Sequence, residues 1–169
     1  TDDGCGMEPV DARTAFLRHA TSKIRKKEDL ACIGTLGFRG EALAAISSVS
    51  KIDLLTRAQG AENGVRLHLE AGQVLSEEPA GCPYGTTILV RELFYNTPAR
   101  MKFMKSDAAE SSAVFSVVQQ QALAHPEISF RFLKDGQEQL HTDGQGNRMA
   151  AIYAIYGREL ANNMLPVDG

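Results

Sequence analysis

Apolar and polar residues alternate along several short segments of the chain. The clearest is 65–70, Val-Arg-Leu-His-Leu-Glu, and a period of two is typical of a half-buried β-strand. Gly72 permits a tight turn into a second strand at 73–78. Further strands are predicted at 51–57 and 86–91, and a hairpin through Asp135 and Gly136 joins predicted strands at 128–134 and 137–142.

Helices are predicted where apolar residues recur at helical spacing, namely at 8–19, 41–48, 107–125 and 148–156. Asp107 followed by Glu110 indicates the start of the third helix, Pro126 its end, and Gly157 the end of the fourth. The residues expected to be buried are Val10, Ala15 and Phe16 in the first helix, and Val114, Val117, Val118 and Ala122 in the third. Hairpins grouped between helices predict the α+β class. We expect a two-layer α/β sandwich whose sheet is mixed but largely antiparallel, with the helices on one face.

Composition indicates one soluble globular domain. The chain has 169 residues, of which 43% are hydrophobic and 23% charged, and its net charge is −3. The three cysteines show no CxxC spacing and the four histidines are scattered, so neither a zinc site nor a disulfide framework is predicted. No apolar run is long enough to span a membrane. Basic residues cluster near 18–27 and 100–105, which is compatible either with phosphate contacts or with a solvated surface.

A glycine-bearing loop precedes the second predicted helix. Gly37, Phe38, Arg39 and Gly40 lead directly into Glu41. Backbone N–H groups at a helix start form a site for anions, and phosphate is the usual one. The alternative is a tight loop that only caps the helix.

Two other segments carry candidate binding chemistry. In 1–7, Thr-Asp-Asp-Gly-Cys-Gly-Met, the Asp2 carboxylate can accept a hydrogen bond from the exocyclic amino group of adenine. Gly4 and Gly6 would let a ligand approach the backbone, although an ordinary Asp-Gly turn has the same composition. In 18–24, Arg-His-Ala-Thr-Ser-Lys-Ile, hydroxyls and a lysine can donate to phosphate, or can simply end a solvated helix.

The segments DDGCGM, RHATSKI and TLGFRGEAL, in this order and spacing, resemble the MutL family of mismatch-repair ATPases. The similarity continues through Gly85-Thr86-Thr87 and LFYNTPAR at 93–100, and so covers nearly the whole chain. That family belongs to the GHKL ATPases, which also include gyrase B. The resemblance therefore implies the GHKL, or Bergerat-type, ATPase fold.

The resemblance also implies roles for individual residues. Asp2 would accept from adenine, supported by Thr86, while Gly4 and Gly6 would line the base pocket. Two lid segments would fold over the nucleotide, one of them meeting the phosphates with its backbone. They comprise Thr21, Ser22 and Lys23, and Gly37, Phe38, Arg39 and Gly40.

The resemblance further implies ATP and Mg²⁺ as cofactors and ATP-dependent dimerisation of two N-terminal domains. It also implies weak, sequence-independent DNA contact, mismatch-recognition and other repair proteins as partners, and a bacterial-type cytoplasmic location. We expect residues 1–157 to form the ATPase domain without its first helix, and 158–169 to begin the connection to a second, transducer domain. The family's general-base glutamate and magnesium-binding asparagine would precede Thr1, so this chain alone would lack hydrolytic activity.

Two alternatives to this interpretation remain open from the sequence. The chain could be a non-catalytic DNA-binding or dimerisation module whose glycine loops serve only as scaffold. It could also be another GHKL enzyme, such as a gyrase-like topoisomerase, although those relatives lack RHATSK and GFRGEAL as written here.

Overall fold

The computed structural model describes residues 1–20 and 40–164, and the chain divides into two compact units, 1–103 and 104–169. The first unit contains α1 (Pro9–Thr14), α2 (Ala42–Ser47), β1 (Lys51–Arg57), β2 (Gly64–Glu70), β3 (Gln73–Ala80), β4 (Gly85–Arg91) and α3 (Pro98–Met101). The second contains α4 (Asp107–Ala124), β5 (Arg131–Lys134), β6 (Gln137–His141) and α5 (Arg148–Asn162). The predicted α+β class is confirmed.

The four strands described in the first unit form one sheet in the order β3-β2-β1-β4, and each of these neighbouring pairs is antiparallel. Leu54 of β1 lies opposite Leu67 of β2 and Ile88 of β4. Because side chains alternate between the two faces, these three residues share one face of the sheet. That face carries the core, which joins α1 to the sheet through Ala12, Phe16, Ile52, Leu54, Val65, Leu67 and Leu69.

The first helix is shorter than predicted. Its backbone bonds shift to the tighter i−3 pattern after Thr14, with Phe16 N–H donating to Arg13 O and Leu17 N–H to Thr14 O. The prediction that Val10 is buried is wrong, because that side chain is 71% exposed. Ala12 and Phe16, which are four residues apart, face the sheet instead. Val10 is two positions from Ala12, so its side chain points away from the sheet.

The opposite face of the sheet carries a charged cluster centred on the buried Asp53. Arg91 Nη1 lies 2.7 Å from Asp53 Oδ2, while Arg66 Nη2 and His68 Nδ1 lie 3.4 and 3.2 Å from Oδ1. Burial raises the pKa of this carboxyl group. The hydrogen bond from His68, the charge of Arg91 and the hydrogen bond from Arg66 oppose that effect, and the pKa is lowered overall.

In the second unit, α4 begins after Ser106, whose hydroxyl accepts from Ala109 N–H at 3.4 Å. Glu110 accepts from Lys105 N–H at 2.8 Å, so both polar groups satisfy backbone donors around the helix start. The predicted hairpin is confirmed as β5 and β6, which pair antiparallel. The predicted end of the fourth helix at Gly157 corresponds to a break within α5, where φ is 80° and ψ is 171°.

The prediction of buried residues in α4 is partly wrong. Ala122 is fully buried as expected, but Val114 and Val117 are 53% and 57% exposed. Phe115 packs against Phe132 of β5 with ring centroids 5.3 Å apart. Phe115 and Ala122 are seven residues apart, about two helical turns, and so lie on one side of α4. That side faces inward, whereas Val114 and Val117 lie on other sides of the helix.

Candidate functional site

The first residues of the chain pair with the outer edge of the sheet. Asp2 N–H donates to Thr86 O at 2.8 Å, and Thr86 N–H donates to Asp2 O at 3.2 Å, which forms an isolated antiparallel bridge beside β4. Thr86 lies opposite Thr56, on the face of the sheet that carries the core. Directly opposed residues of an antiparallel pair share a face, so the Asp2 side chain lies on the same face as Thr86.

The Asp2 carboxylate is exposed, and the hydrogen bonds of the described residues leave acceptor positions on it unused. Its Oδ1 accepts a hydrogen bond from Gly4 N–H at 3.0 Å. This side-chain contact with the backbone two residues further on is an Asx-turn, and it fixes the orientation of the carboxylate. A Cβ added at Gly4 would lie 3.0 Å from the same oxygen. A side chain at Gly4 would therefore crowd the carboxylate, which explains in part why glycine suits this position.

Two other glycines allow the loop to lie against the sheet. A Cβ at Gly6, whose φ is 65°, would lie 1.9 Å from the carbonyl oxygen of Arg57. A Cβ at Gly85, whose φ is 103°, would lie 2.2 Å from Asp2 O. Both positions combine a backbone conformation that favours glycine with an approach too close for any side chain. Gly6 was predicted from its motif, whereas no role was predicted for Gly85.

Thr56 is part of this arrangement and was missed from the sequence. Its side chain is fully buried, and its Oγ1 lies 3.0 Å from Met7 N, Gly85 O and Thr86 Oγ1. The hydroxyl thus connects the first loop to β1 and β4. A signal was present in the sequence, because 51–57 alternates and places a polar residue among positions that face the core.

The remaining predicted residues are only partly covered by the structure. Thr21, Ser22, Lys23, Gly37, Phe38 and Arg39 lie outside the described residues. Gly40 has a φ of 62°, and a Cβ there would lie 2.1 Å from Ala20 O. Ala20 and Gly40, which border the residues 21–39 that the structure does not describe, are therefore in backbone contact. His19 Nδ1 lies 3.5 Å from Glu41 Oε1 at the same place.

The parts of the chain that the structure describes contain no group of three His, Cys, Asp or Glu residues that could hold a metal ion. A metal site built from three or more such side chains is therefore absent from these residues. Within the same residues, no helix is both long and apolar enough to cross a membrane.

Comparison with curated proteins gives close relatives over nearly the whole chain. The DNA mismatch repair protein MutL of Agathobacter rectalis is 48% identical over 167 residues, which is 99% of this chain and 26% of that protein. MutL of Symbiobacterium thermophilum is 51% identical over 169 residues, again 99% of this chain and 26% of the relative. The chain thus spans about a quarter of the length of these relatives. No protein-family model matches it.

Solved structures give the same result. The Aquifex aeolicus MutL ATPase domain complexed with ADP has a TM-score of 0.70 and 30% identity, and the match covers 92% of this chain and 54% of that one. The ATPase domain of the bacterial mismatch repair endonuclease Aquifex aeolicus MutL has a TM-score of 0.64 and 28% identity, with 90% and 50% covered. Sequence and fold agree across the length of the chain, which therefore belongs to the MutL family.

Proposed function

We propose that this protein binds ATP through the loop at 1–7 and is the ATP-binding part of a MutL-type DNA mismatch repair protein. The observation that carries the proposal is the Asp2–Thr86 bridge, which fixes an exposed carboxylate at the edge of the sheet. The MutL relatives and the similarity to an ATPase domain solved with ADP support it. They also favour this family over a gyrase-like enzyme.

The geometry suits recognition of an adenine base. The Asp2 carboxylate can only accept hydrogen bonds, and the exocyclic amino group of adenine is a donor. Gly4 already uses one acceptor position of Oδ1 at 3.0 Å and thereby orients the carboxylate before the ligand binds. A preoriented acceptor loses less conformational entropy on binding. Thr86 lies beside it on the same face of the sheet.

The same proposal covers the chemistry of the intact protein. ATP hydrolysis would take place with Thr21, Ser22, Lys23, Gly37, Phe38, Arg39 and Gly40 around the phosphates. We assign residues 1–157 to the ATPase domain and 158–169 to the start of the connection to a transducer domain.

ATP binding would be coupled to assembly and signalling. We propose that two N-terminal domains form a homodimer when ATP is bound and separate after hydrolysis. In other nucleotide switches, contacts with the γ-phosphate order a segment, and hydrolysis releases it. Weak, sequence-independent contact with DNA and contact with mismatch-recognition and other repair proteins would depend on the ATP state. A cytoplasmic location is part of the same proposal.

The direct test compares ATP binding by wild type, Asp2→Asn and Asp3→Asn in the full-length protein, using isothermal titration calorimetry. Asp3→Asn is the matched control, because it removes the same charge from the adjacent residue. Loss of a hydrogen bond to a charged group costs about 1.5–3 kcal/mol. Asp2→Asn should therefore weaken ATP binding roughly tenfold to a hundredfold, while the melting temperature stays close to that of Asp3→Asn.

Equal ATP affinity in the two variants would contradict the assignment of Asp2 to the base. DNA binding can be measured on the same samples by fluorescence anisotropy over a range of salt concentrations. Salt-sensitive DNA binding that does not depend on nucleotide, together with no ATP binding by wild type, would favour the non-catalytic DNA-binding module instead.

A further inference from the structure

Thr56 of β1 connects the first loop to β4 through one buried hydroxyl with three partners. Its Oγ1 lies 3.0 Å from the Met7 backbone nitrogen, from the Gly85 carbonyl oxygen and from Thr86 Oγ1. The Thr56 side chain is fully buried. Each of these groups would otherwise need another partner, since buried polar groups without hydrogen bonds are costly.

Counting protons fixes the direction of each hydrogen bond. A threonine hydroxyl has one proton to donate and two lone pairs to accept with. The Met7 N–H can only donate and the Gly85 carbonyl can only accept, so the Thr56 proton is directed to Gly85 O. The contact between the two hydroxyls is then a hydrogen bond only if Thr86 donates to Thr56. With these three bonds Thr56 has no donor or acceptor left.

Thr86 is consequently left with lone pairs alone. Its proton is used by Thr56, and its oxygen lies on the same sheet face as the Asp2 carboxylate, which also only accepts. Two acceptors therefore lie on the same face at the edge of β4, on directly opposed residues. Such a pair suits an amino group, which has two protons, and opposes a keto oxygen, which has none.

We infer that Thr56 is a positioning residue that sets base selectivity: by taking the proton of Thr86, it makes the site accept a 6-amino purine and reject a 6-oxo purine. This inference rests on the proposed function, because it takes Asp2 as the residue that meets the base. Thr56 itself does not touch the nucleotide. A site whose polar groups are left unpaired rejects the wrong ligand more strongly than one that merely lacks contact area.

The test compares the dissociation constants of ATP and inosine triphosphate, which replaces the 6-amino group with a 6-oxo group. The proteins are full-length wild type, Thr56→Val and Thr56→Ser. Valine keeps the shape of threonine without the hydroxyl, whereas serine keeps the hydroxyl. In Thr56→Val the Thr86 hydroxyl is free to turn and donate to the keto oxygen. The preference for ATP over inosine triphosphate should then fall roughly five- to tenfold, the value of about one hydrogen bond, while Thr56→Ser keeps the wild-type ratio.

The ratio separates selectivity from stability. Thr56→Val leaves Met7 N–H and Gly85 O without their partner, so its melting temperature should fall, and binding is measured well below that temperature. Partial unfolding lowers the active fraction equally for both nucleotides and leaves the ratio unchanged. If Thr56→Val does not fold, Thr86→Val serves instead, because it removes one of the two acceptors and should also reduce the ratio.

The outcomes distinguish this inference from the proposed function. No ATP binding by wild type would overturn both. ATP binding by wild type with an unchanged ratio in Thr56→Val, or in Thr86→Val where that variant is needed, would overturn the inference and leave the proposed function intact. An equal fall in Thr56→Ser and Thr56→Val would also overturn it, because the hydroxyl would then not be the determinant.

Discussion

Replacing Gly85 with alanine should push the Asp2 backbone away from β4. The added Cβ would lie 2.2 Å from Asp2 O and 2.9 Å from the Asp3 Cα. Ordinary van der Waals contact begins at 3.4 Å, so the Asp2 backbone would have to move by about 1.2 Å. A shift of that size breaks the two hydrogen bonds between Asp2 and Thr86, which are 2.8 and 3.2 Å long.

The chain offers a matched control at Gly60. Gly60 has a φ of 84°, similar in sign to the 103° of Gly85, but a Cβ there meets nothing within 4 Å. Gly60→Ala therefore carries only the backbone strain, about 1–3 kcal/mol. Gly85→Ala carries comparable strain and in addition loses two backbone hydrogen bonds, each worth about 0.5–1.5 kcal/mol. The difference in the free energy of unfolding between the two variants should thus be about 1–3 kcal/mol.

The functional effect is expected to be larger than the effect on stability. Misplacement by about 1 Å can reduce a rate on the order of a hundredfold, and Asp2 is the residue proposed to meet the base. Urea unfolding gives the stabilities, and titration calorimetry and ATP turnover in the full-length protein give the function. We expect Gly60→Ala to bind and hydrolyse ATP as wild type does and Gly85→Ala to lose most of both. Equal ATP affinity in Gly60→Ala and Gly85→Ala would refute the assignment of the site to this edge of the sheet.

Two further predictions concern the sheet itself. The pKa of Asp53 is lowered in the folded state, so its charged form stabilises the fold at any pH above the unfolded pKa of about 3.8. That contribution to the free energy of unfolding is lost as the pH falls through the folded pKa. Asp53→Asn should remove this part of the pH dependence of urea unfolding between pH 6 and pH 2, as read against wild type, and an unchanged dependence would contradict the role of Arg91 and His68. Leu67→Ala, at a fully buried position, should cost about 2–5 kcal/mol in thermal or urea unfolding. Leu75→Ala, at a position 56% exposed, should cost under about 1 kcal/mol, so similar losses would contradict the assigned core.

The sequence predicted the strands well because their pattern is governed by local alternation. Val65, Leu67 and Leu69 are buried as expected, since one face of β2 meets the core and the other does not. Helix α4 was harder to interpret. Its apolar residues do not form one stripe, so the pattern alone could not show that Phe115, and not Val114 or Val117, would face inward.

The candidate site was predictable only as far as its motifs. Asp2, Gly4 and Gly6 stand out because glycines and a carboxylate occur together within a few residues. The place of Thr86 beside Asp2 was implied only by the family resemblance, and that of Thr56 was not implied at all. Both depend on strand register, which joins residues more than 25 positions apart and is set by the whole sheet. A sequence pattern of short range does not contain that information, which explains why Thr56 and Gly85 had no assigned role.

The most direct test of the central claim is a crystal structure of the full-length protein with magnesium and a non-hydrolysable ATP analogue. Our account predicts that the exocyclic nitrogen of adenine lies about 2.7–3.2 Å from an Asp2 carboxylate oxygen, on the face of the sheet that carries Thr86. A base bound elsewhere, with Asp2 in contact only with Gly4, would contradict the account.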